Sequence, residues 1–249
     1  MNAHDVMDIA LTAGEILLGY GAETYRIEDT VIRICNSYGY DAECLTVSKG
    51  LWLTIGQGKE KITSVKKVKK QSVDLYRIEL VNDFSRKLCK KQLPADEAMK
   101  TLNYISNSPT FTYKVRLFAS CMTGFIYTLF FNGTMVDGIA SIIICSFTYW
   151  ILEKISKLGF FEFLQYYVSG LIIGLCSILS HMMIGSINSH NVITGSIMIL
   201  LPGVILTNGI KDMLYGDFSS GISRFSEALI VIAAVSAGIA TALLSLKGM

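Results

Sequence analysis

Charge is scarce in this chain, and the shortage is uneven. Charged side chains make up 17% of its 249 residues, against roughly 25% in an ordinary soluble domain. The first 116 residues carry 17 of the 22 Lys and Arg and 14 of the 20 Asp and Glu, which leaves 11 charged side chains for the last 133. Mean hydropathy is +0.47. A protein soluble along its whole length is excluded, because nothing polar enough covers the second half. The division expected is a soluble segment followed by a membrane segment.

Other absences narrow the function. Net charge of +2 and a pI near 8.1, with no groove-reading motif, exclude a nucleic-acid partner. The six cysteines, at positions 35, 44, 89, 121, 145 and 176, form no CxxC pair, and three lie in apolar runs. Neither a disulfide framework nor a zinc site is indicated. A nucleophile elbow, a P-loop and a dinucleotide fingerprint are all missing, and His4, His181 and His190 lack metal-ligand spacing. The expectation is a protein that is not an enzyme, uses no cofactor or metal, and is not itself an ATP-driven pump. The N-terminus sets Asp5, Asp8 and Glu15 where a signal peptide needs a basic flank and an unbroken apolar core. The chain is therefore expected to start in the cytosol.

Five apolar segments stand near the ~20 residues that cross a bilayer: about 115 to 131, 135 to 152, 160 to 184, 191 to 210 and 222 to 246. The first and third intervening loops hold no Lys or Arg. The second holds Lys154 and Lys157, and the fourth Lys211 and Arg224. That alternation places the N-terminus in the cytoplasm. Gly170 with Gly174, Ala233 with Ala237, and Ala234 with Gly238 are small-xxx-small pairs that let helices approach closely.

The first half reads as α+β. Val6, Ile9, Ala10, Ala13 and Leu17 recur at helical spacing over 5–19, and Ile27, Val31, Ile34 and Tyr38 over 22–38, with Gly39 as the stop. Runs 42–48, 51–55 and 60–68 read as three antiparallel strands. Ile78, Val81, Ser85 and Leu88 restore the helical period, and Pro94 opens a last helix. Lys59, Lys61, Lys66, Lys67, Lys69 and Lys70 form the one dense charge run. It suits a surface facing anionic headgroups or solutes, or a strand edge guarded by lysines.

The fourth apolar segment is interrupted by Pro202-Gly203. Proline has no N–H and crowds the carbonyl four residues back, that of Met198, so the helix is expected to break there. Broken helices in lipid recur at transporter sites, where protein, water or solute satisfies the backbone again. Pro202, Gly203, Thr207 and Asn208 are candidates for such a site; a plain kink with locally bonded polar groups accounts for the same residues. Asp212, Asp217, Arg224 and Glu227 follow. An arginine there suits a substrate carboxylate and an acid suits a coupling proton, while an ion-pair network is the structural alternative. Asp137, at the start of the second span, is either an intramembrane functional acid or a helix cap.

Two tracts carry a family resemblance. GEILLGYGAETYRIED, residues 14–29, and LPGVILTNGIKDMLYGDFSSG, residues 201–221 with Arg224 and Glu227 beyond, resemble the N-terminal, YjjP-like half of the threonine/serine exporter family. The resemblance covers nearly the whole chain. It implies export of small polar metabolites, either threonine and serine or dicarboxylates such as succinate. It also implies a partner, a shorter membrane protein of the companion type, in a hetero-oligomer. Within the first tract, Glu23, Thr24, Arg26 and Glu28 are implicated as a gate or first binding surface at the membrane mouth, or as a helix junction held by charge pairs. The family's usual Gly-Gly after the first span is Asn132-Gly133 here.

The resulting expectation is a multi-pass protein of the cytoplasmic (inner) membrane. A cytosolic α+β domain over 1–113 precedes a five-helix transmembrane bundle over 114–249. The function expected is that of a secondary-transporter subunit acting on a small-molecule substrate within the lipid bilayer. The alternative is a membrane-anchored metabolite sensor or regulatory subunit.

Overall fold

A computed structural model describes residues 1–57, 60–68 and 72–247. In chain order its elements are α1 (Ala3–Gly19), α2 (Thr24–Ser37), β1 (Asp41–Val47), β2 (Gly50–Gln57), β3 (Glu60–Lys67), α3 (Leu75–Lys90), α4 (Ala95–Ser106), α5 (Tyr113–Phe130), α6 (Met135–Lys157), α7 (Glu162–Met183), α8 (Ser189–Ile197), α9 (Gly203–Leu214) and α10 (Phe218–Lys247). They form two compact units. One joins residues 1–109 to 203–226; the other joins 110–202 to 227–249.

The first unit is built on a three-stranded antiparallel sheet of order β1-β2-β3. Strict alternation along β2 sends Leu51, Leu53 and Ile55 into the core, where they meet Ile9, Leu17, Ile27, Val31, Ile78 and Leu88. These are the residues whose spacing marked the helices, because one apolar stripe per helix must find one sheet face. Asn2 and Asp74 cap α1 and α3 by accepting from Asp5 N and Arg77 N. The Arg77 guanidinium, itself buried, pairs with Asp74, donates to the carbonyls of Ile105 and Ser108, and lies 4.6 Å from the Tyr20 ring centroid. Of the lysine run, Lys61 pairs with Glu43 at 3.5 Å and Lys66 with Glu15 at 3.2 Å. Lys59, Lys69 and Lys70 lie outside the described residues.

Among the described residues, three helices are long and apolar enough to cross a membrane: α6, α7 and α10. Of the five segments drawn from sequence, the first appears as α5, 18 residues with Lys114 and Arg116 in its opening turns. The fourth is two helices. Residues 198–202 separate α8, of 9 residues, from α9, of 12, with Leu200 N donating to Ile197 O in a tight turn before Pro202. The proline and the loss of its N–H account for the interruption, and neither half alone reaches the ~20 residues of a span.

In the second unit, Ile144, Ile173, Val192 and Val235 form the core, while Phe118, Ile143, Leu179 and Leu244 point outward, as lipid-facing side chains do. Small residues set the helix approach. A Cβ on Gly170 would collide with the Val235 carbonyl, and one on Gly238 with the Tyr167 carbonyl. Ala234 and Gly238 are therefore the pair that faces α7, whereas Ala233 and Ala237 are exposed. At the α5–α6 turn Asn132 holds φ +63°, a left-handed conformation that glycine adopts freely and asparagine tolerates. This is the position where the family pattern has its first glycine.

Asp137 forms a capping box with Thr134 at the start of α6. Its carboxylate accepts from Thr134 N at 2.8 Å, Thr134 Oγ1 at 2.9 Å and Asn188 N at 2.7 Å, and the residue is fully buried. Asp137→Ala removes the acceptor of the half-buried Thr134 and Asn188 N–H groups, so we expect a loss of about 1–3 kcal/mol, with Asp137→Asn intermediate. Thermal unfolding of the detergent-purified variants checks this. Unchanged stability would mean that the cap does not hold α6.

Candidate functional site

The first turn of α2 has no side-chain cap from its own N-cap residue, Glu23, and its opening residue, Thr24, is buried. A carboxylate 188 positions later supplies one: Asp212 Oδ1 accepts from Thr24 N at 2.9 Å. An acid at a helix N-terminus is favoured both by the hydrogen bond and by the helix dipole. Around this bond the two tracts, 14–29 and 201–221, are stitched together. Asn208 Nδ2 donates to Gly21 O and Arg224 Nη2 to Ala22 O, both at 2.8 Å. The Glu23 carboxylate accepts from Lys211 and Arg26, each at 3.0 Å. Tyr25 and Tyr215 stack with ring centroids 4.1 Å apart.

Local geometry explains why α9 and α10 can present these groups. Gly216, at φ +94°, makes the turn between them, and Asp217 caps α10 by accepting from Ser220 N at 3.1 Å. Gly209 and Gly221 let the helices touch: a Cβ on Gly221 would lie 2.8 Å from the Gly209 carbonyl oxygen. On the other side, Glu28 Oε1 accepts from Thr46 N at 2.8 Å, fixing α2 to β1. These elements enclose a cleft of about 300 Å³. Glu28, Thr46, Asp212, Asp217, Tyr25 and Tyr215 are among the residues that line it.

Electrostatics distinguish the acids. Burial pushes the Glu28 carboxyl above the usual range, and the charges of Asp217 and Asp212 add to this against the opposing Thr46 N–H. Burial likewise raises Asp212, outweighing Arg224 and the Thr24 hydrogen bonding, with Asp217 adding to the rise. Glu23 goes the other way: burial disfavours its charge, but its own backbone N–H, Lys211 and Arg26 prevail and lower it. Glu23 is thus a fixed anion in an ion-pair network, while Glu28 and Asp212 are acids whose charge is costly as they stand. Arg224 Nη1 lies 3.4 Å from Asp212 Oδ2, and both side chains are largely buried.

Of the candidates named from sequence, the structure gathers Glu23, Arg26, Glu28, Asn208, Asp212, Asp217 and Arg224 in the first unit. Asn208 ties the tracts together rather than facing the helix break. Thr207 is exposed, and its hydroxyl returns to the carbonyls of Gly203 and Val204 in its own helix. Gly203 opens α9 with open space around it. Pro202, Asp137 and Glu227 belong to the second unit. Tyr25 and Tyr215 lie within tracts 14–29 and 201–221, with no spacing in the sequence that links them. Leu45 and Thr46 carried no sequence signal, since strand pairing alone delivers them to the cleft.

Comparison with known proteins takes in nearly the whole chain. The family model described as "Putative threonine/serine exporter" matches residues 8–245. A curated relative, the "Probable threonine/serine exporter" of Mycobacterium tuberculosis (strain ATCC 25618 / H37Rv), is 20% identical over 255 residues, covering 100% of this chain and 47% of its own length. The chain thus spans about half of that relative. No solved structure matches it significantly.

Proposed function

The chain belongs to the threonine/serine exporter family, and from that premise we propose that it is one subunit of a secondary transporter exporting small polar amino acids across the cytoplasmic membrane. The observation that carries the reading is the extent of the match, residues 8–245, which takes in both the cleft-forming tracts and the apolar helices. Threonine and serine are the substrates proposed first; dicarboxylates such as succinate are the competing class. In this reading the apolar segments 115–131, 135–152, 160–184, 191–210 (broken at Pro202) and 222–246 form five passes, and the basic loops hold the N-terminus in the cytoplasm. The partner proposed with it is a shorter membrane protein of the companion type, in a hetero-oligomer.

Inverted membrane vesicles test the proposal directly. Labelled threonine, serine and succinate are offered to vesicles holding this chain alone, with the small companion, or neither, under an imposed proton gradient. The expected result is gradient-driven threonine and serine uptake that requires both chains. Binding of the same solutes without flux in any combination would favour a metabolite sensor, in which the first unit reports and the apolar helices only anchor.

A further inference from the structure

Resting on that transport reading, we propose that the seam where α5, α6 and α8 meet, inside the second unit, is the route by which water and a small polar solute pass through that unit. The fully buried residues of α5 are Ser120, Gly124 and Thr128, none of them a hydrocarbon, and their four-residue spacing puts them on one face. On α6 the opposing face holds Ser141, Cys145 and Thr148. The register is antiparallel: Thr128 Oγ1 and Ser141 Oγ lie 2.6 Å apart, and a Cβ on Gly124 would strike the Cys145 sulfur. One turn further on, the same register sets Ser120 level with Thr148. α8 closes the third side, where a Cβ on Gly195 would strike the Thr128 hydroxyl and Ser196 is buried beside it. Ile126 and Ile143 point outward from the same two helices. Polar groups turned inward from an apolar exterior mark solute paths in membrane proteins. The stripe also ends in polar groups: Asp137 accepting from Asn188 N at one end, and Arg116 paired with Glu153 at 3.3 Å at the other.

Close helix packing accounts for small residues at a seam, but not for hydroxyls left unbonded there. Thr128 and Ser141 each donate to the carbonyl four residues back, those of Gly124 and Asp137. Ser120 and Thr148 do not: they are 8% and 0% exposed, yet neither hydroxyl has a hydrogen-bond partner. Buried polar atoms without partners are uncommon and signal a missing group. Alanine at 120 and valine at 148 would fill the same space without that cost. A hydroxyl both donates and accepts, so it serves water or a passing solute without holding a charge in the bilayer. The break after α8 adds to the supply, because α8 ends at Ile197 and Pro202 has no N–H for the Met198 carbonyl. In lipid such a carbonyl is satisfied by neighbouring protein or by water. The seam is shut in this structure, with Gly124 and Gly195 drawing the three helices into contact, so passage requires those helices to part.

Thiol accessibility in inverted vesicles holding this chain and its companion tests the route. With the six native cysteines replaced by alanine, single cysteines are introduced as Ser120→Cys and Thr148→Cys. Ile126→Cys and Ile143→Cys are the outward-facing controls on the same helices, and each variant is checked for folding by its thermal transition. The probe is 2-sulfonatoethyl methanethiosulfonate, a charged reagent that attacks the thiolate and therefore needs a hydrated thiol. Both seam cysteines are expected to react at least tenfold faster than either control. Separately, Ser120→Ala and Thr148→Val in the native background should cut threonine flux at least tenfold while leaving the thermal transition unchanged or higher, since neither removes a hydrogen bond. Seam cysteines no more reactive than the controls, or threonine flux indifferent to both hydroxyl deletions, would overturn the proposal while the native chain's flux keeps the transport reading intact. Fast seam labelling in a protein that moves none of the offered solutes would uphold the seam as a water path and sink the transport reading instead.

Discussion

Arg224→Met destabilises the protein by about 3–5 kcal/mol at pH 8, the range expected when one member of a buried ion pair is removed and the other stays behind. The pair is unusually enclosed: the Asp212 side chain is 0% exposed and that of Arg224 11%. Arg224 also closes the carbonyl of Ala22 at 2.8 Å, so its loss uncovers a backbone acceptor as well. The deficit depends on pH with a definite sign. Asp212 already titrates above the ordinary aspartate range because burial outweighs its partners. Folding therefore takes up a proton between the unfolded and folded values, and stability falls as pH rises through that window. Removing Arg224 raises the folded value further, so the variant's deficit should be smaller at pH 5 than at pH 8. Adding Asp212→Asn, which keeps an acceptor for Thr24 N, should recover most of the loss and abolish its pH dependence. Thermal transitions of the two variants across pH provide the check. A pH-independent deficit would mean that the carbonyl bond, not the charge, accounts for the loss.

Gly238→Val should be comparably damaging for a different reason. The added Cβ would run into the Tyr167 carbonyl oxygen and lie 2.7 Å from Leu171 N. Both are backbone atoms of α7, which cannot swing aside as a flexible side chain would. Overpacking typically costs 1–3 kcal/mol, and with only backbone to yield we expect about 3 kcal/mol or more. Gly185→Ala, where nothing lies within 4 Å of the new Cβ, is the control and should change little. Equal melting of the two variants would mean that α7 and α10 are not held at this seam.

How much of this was readable beforehand follows from what each feature depends on. Helices α1 to α3 and the three strands were legible because periodicity reports which face is buried, whatever it is buried against. Leu51, Leu53 and Ile55 had to face inward once they alternated with Trp52 and Thr54. The interruption near Pro202 was legible for a more local reason, the missing N–H. The five apolar segments were less so. Length and hydropathy single out α6, α7 and α10, whereas α5 carries basic residues in its first turns and the fourth segment is divided. Asp137 had two sequence readings, and the capping box it forms is a matter of three atoms that no residue pattern reveals.

The cleft divides along the same line. Glu28, Asp212 and Asp217 could be nominated from two separate tracts, because acids beside apolar segments are conspicuous. Nothing in their spacing said that residue 212 would cap the helix beginning at 24, or that Tyr25 would stack on Tyr215. The sequence by itself determined the division into charge-rich and charge-poor halves, the strand and helix periods, the break at Pro202 and the family. Each depends on composition or on neighbours within a few residues. Only the tertiary structure decided that residues 203–226 join the N-terminal unit, that Arg224 answers Asp212 in a buried pair, and that three acids converge on one cleft. The pair depends on how α9 packs on α10, and the other two outcomes on contacts between positions almost 200 residues apart, where distance along the chain carries no information about distance in space.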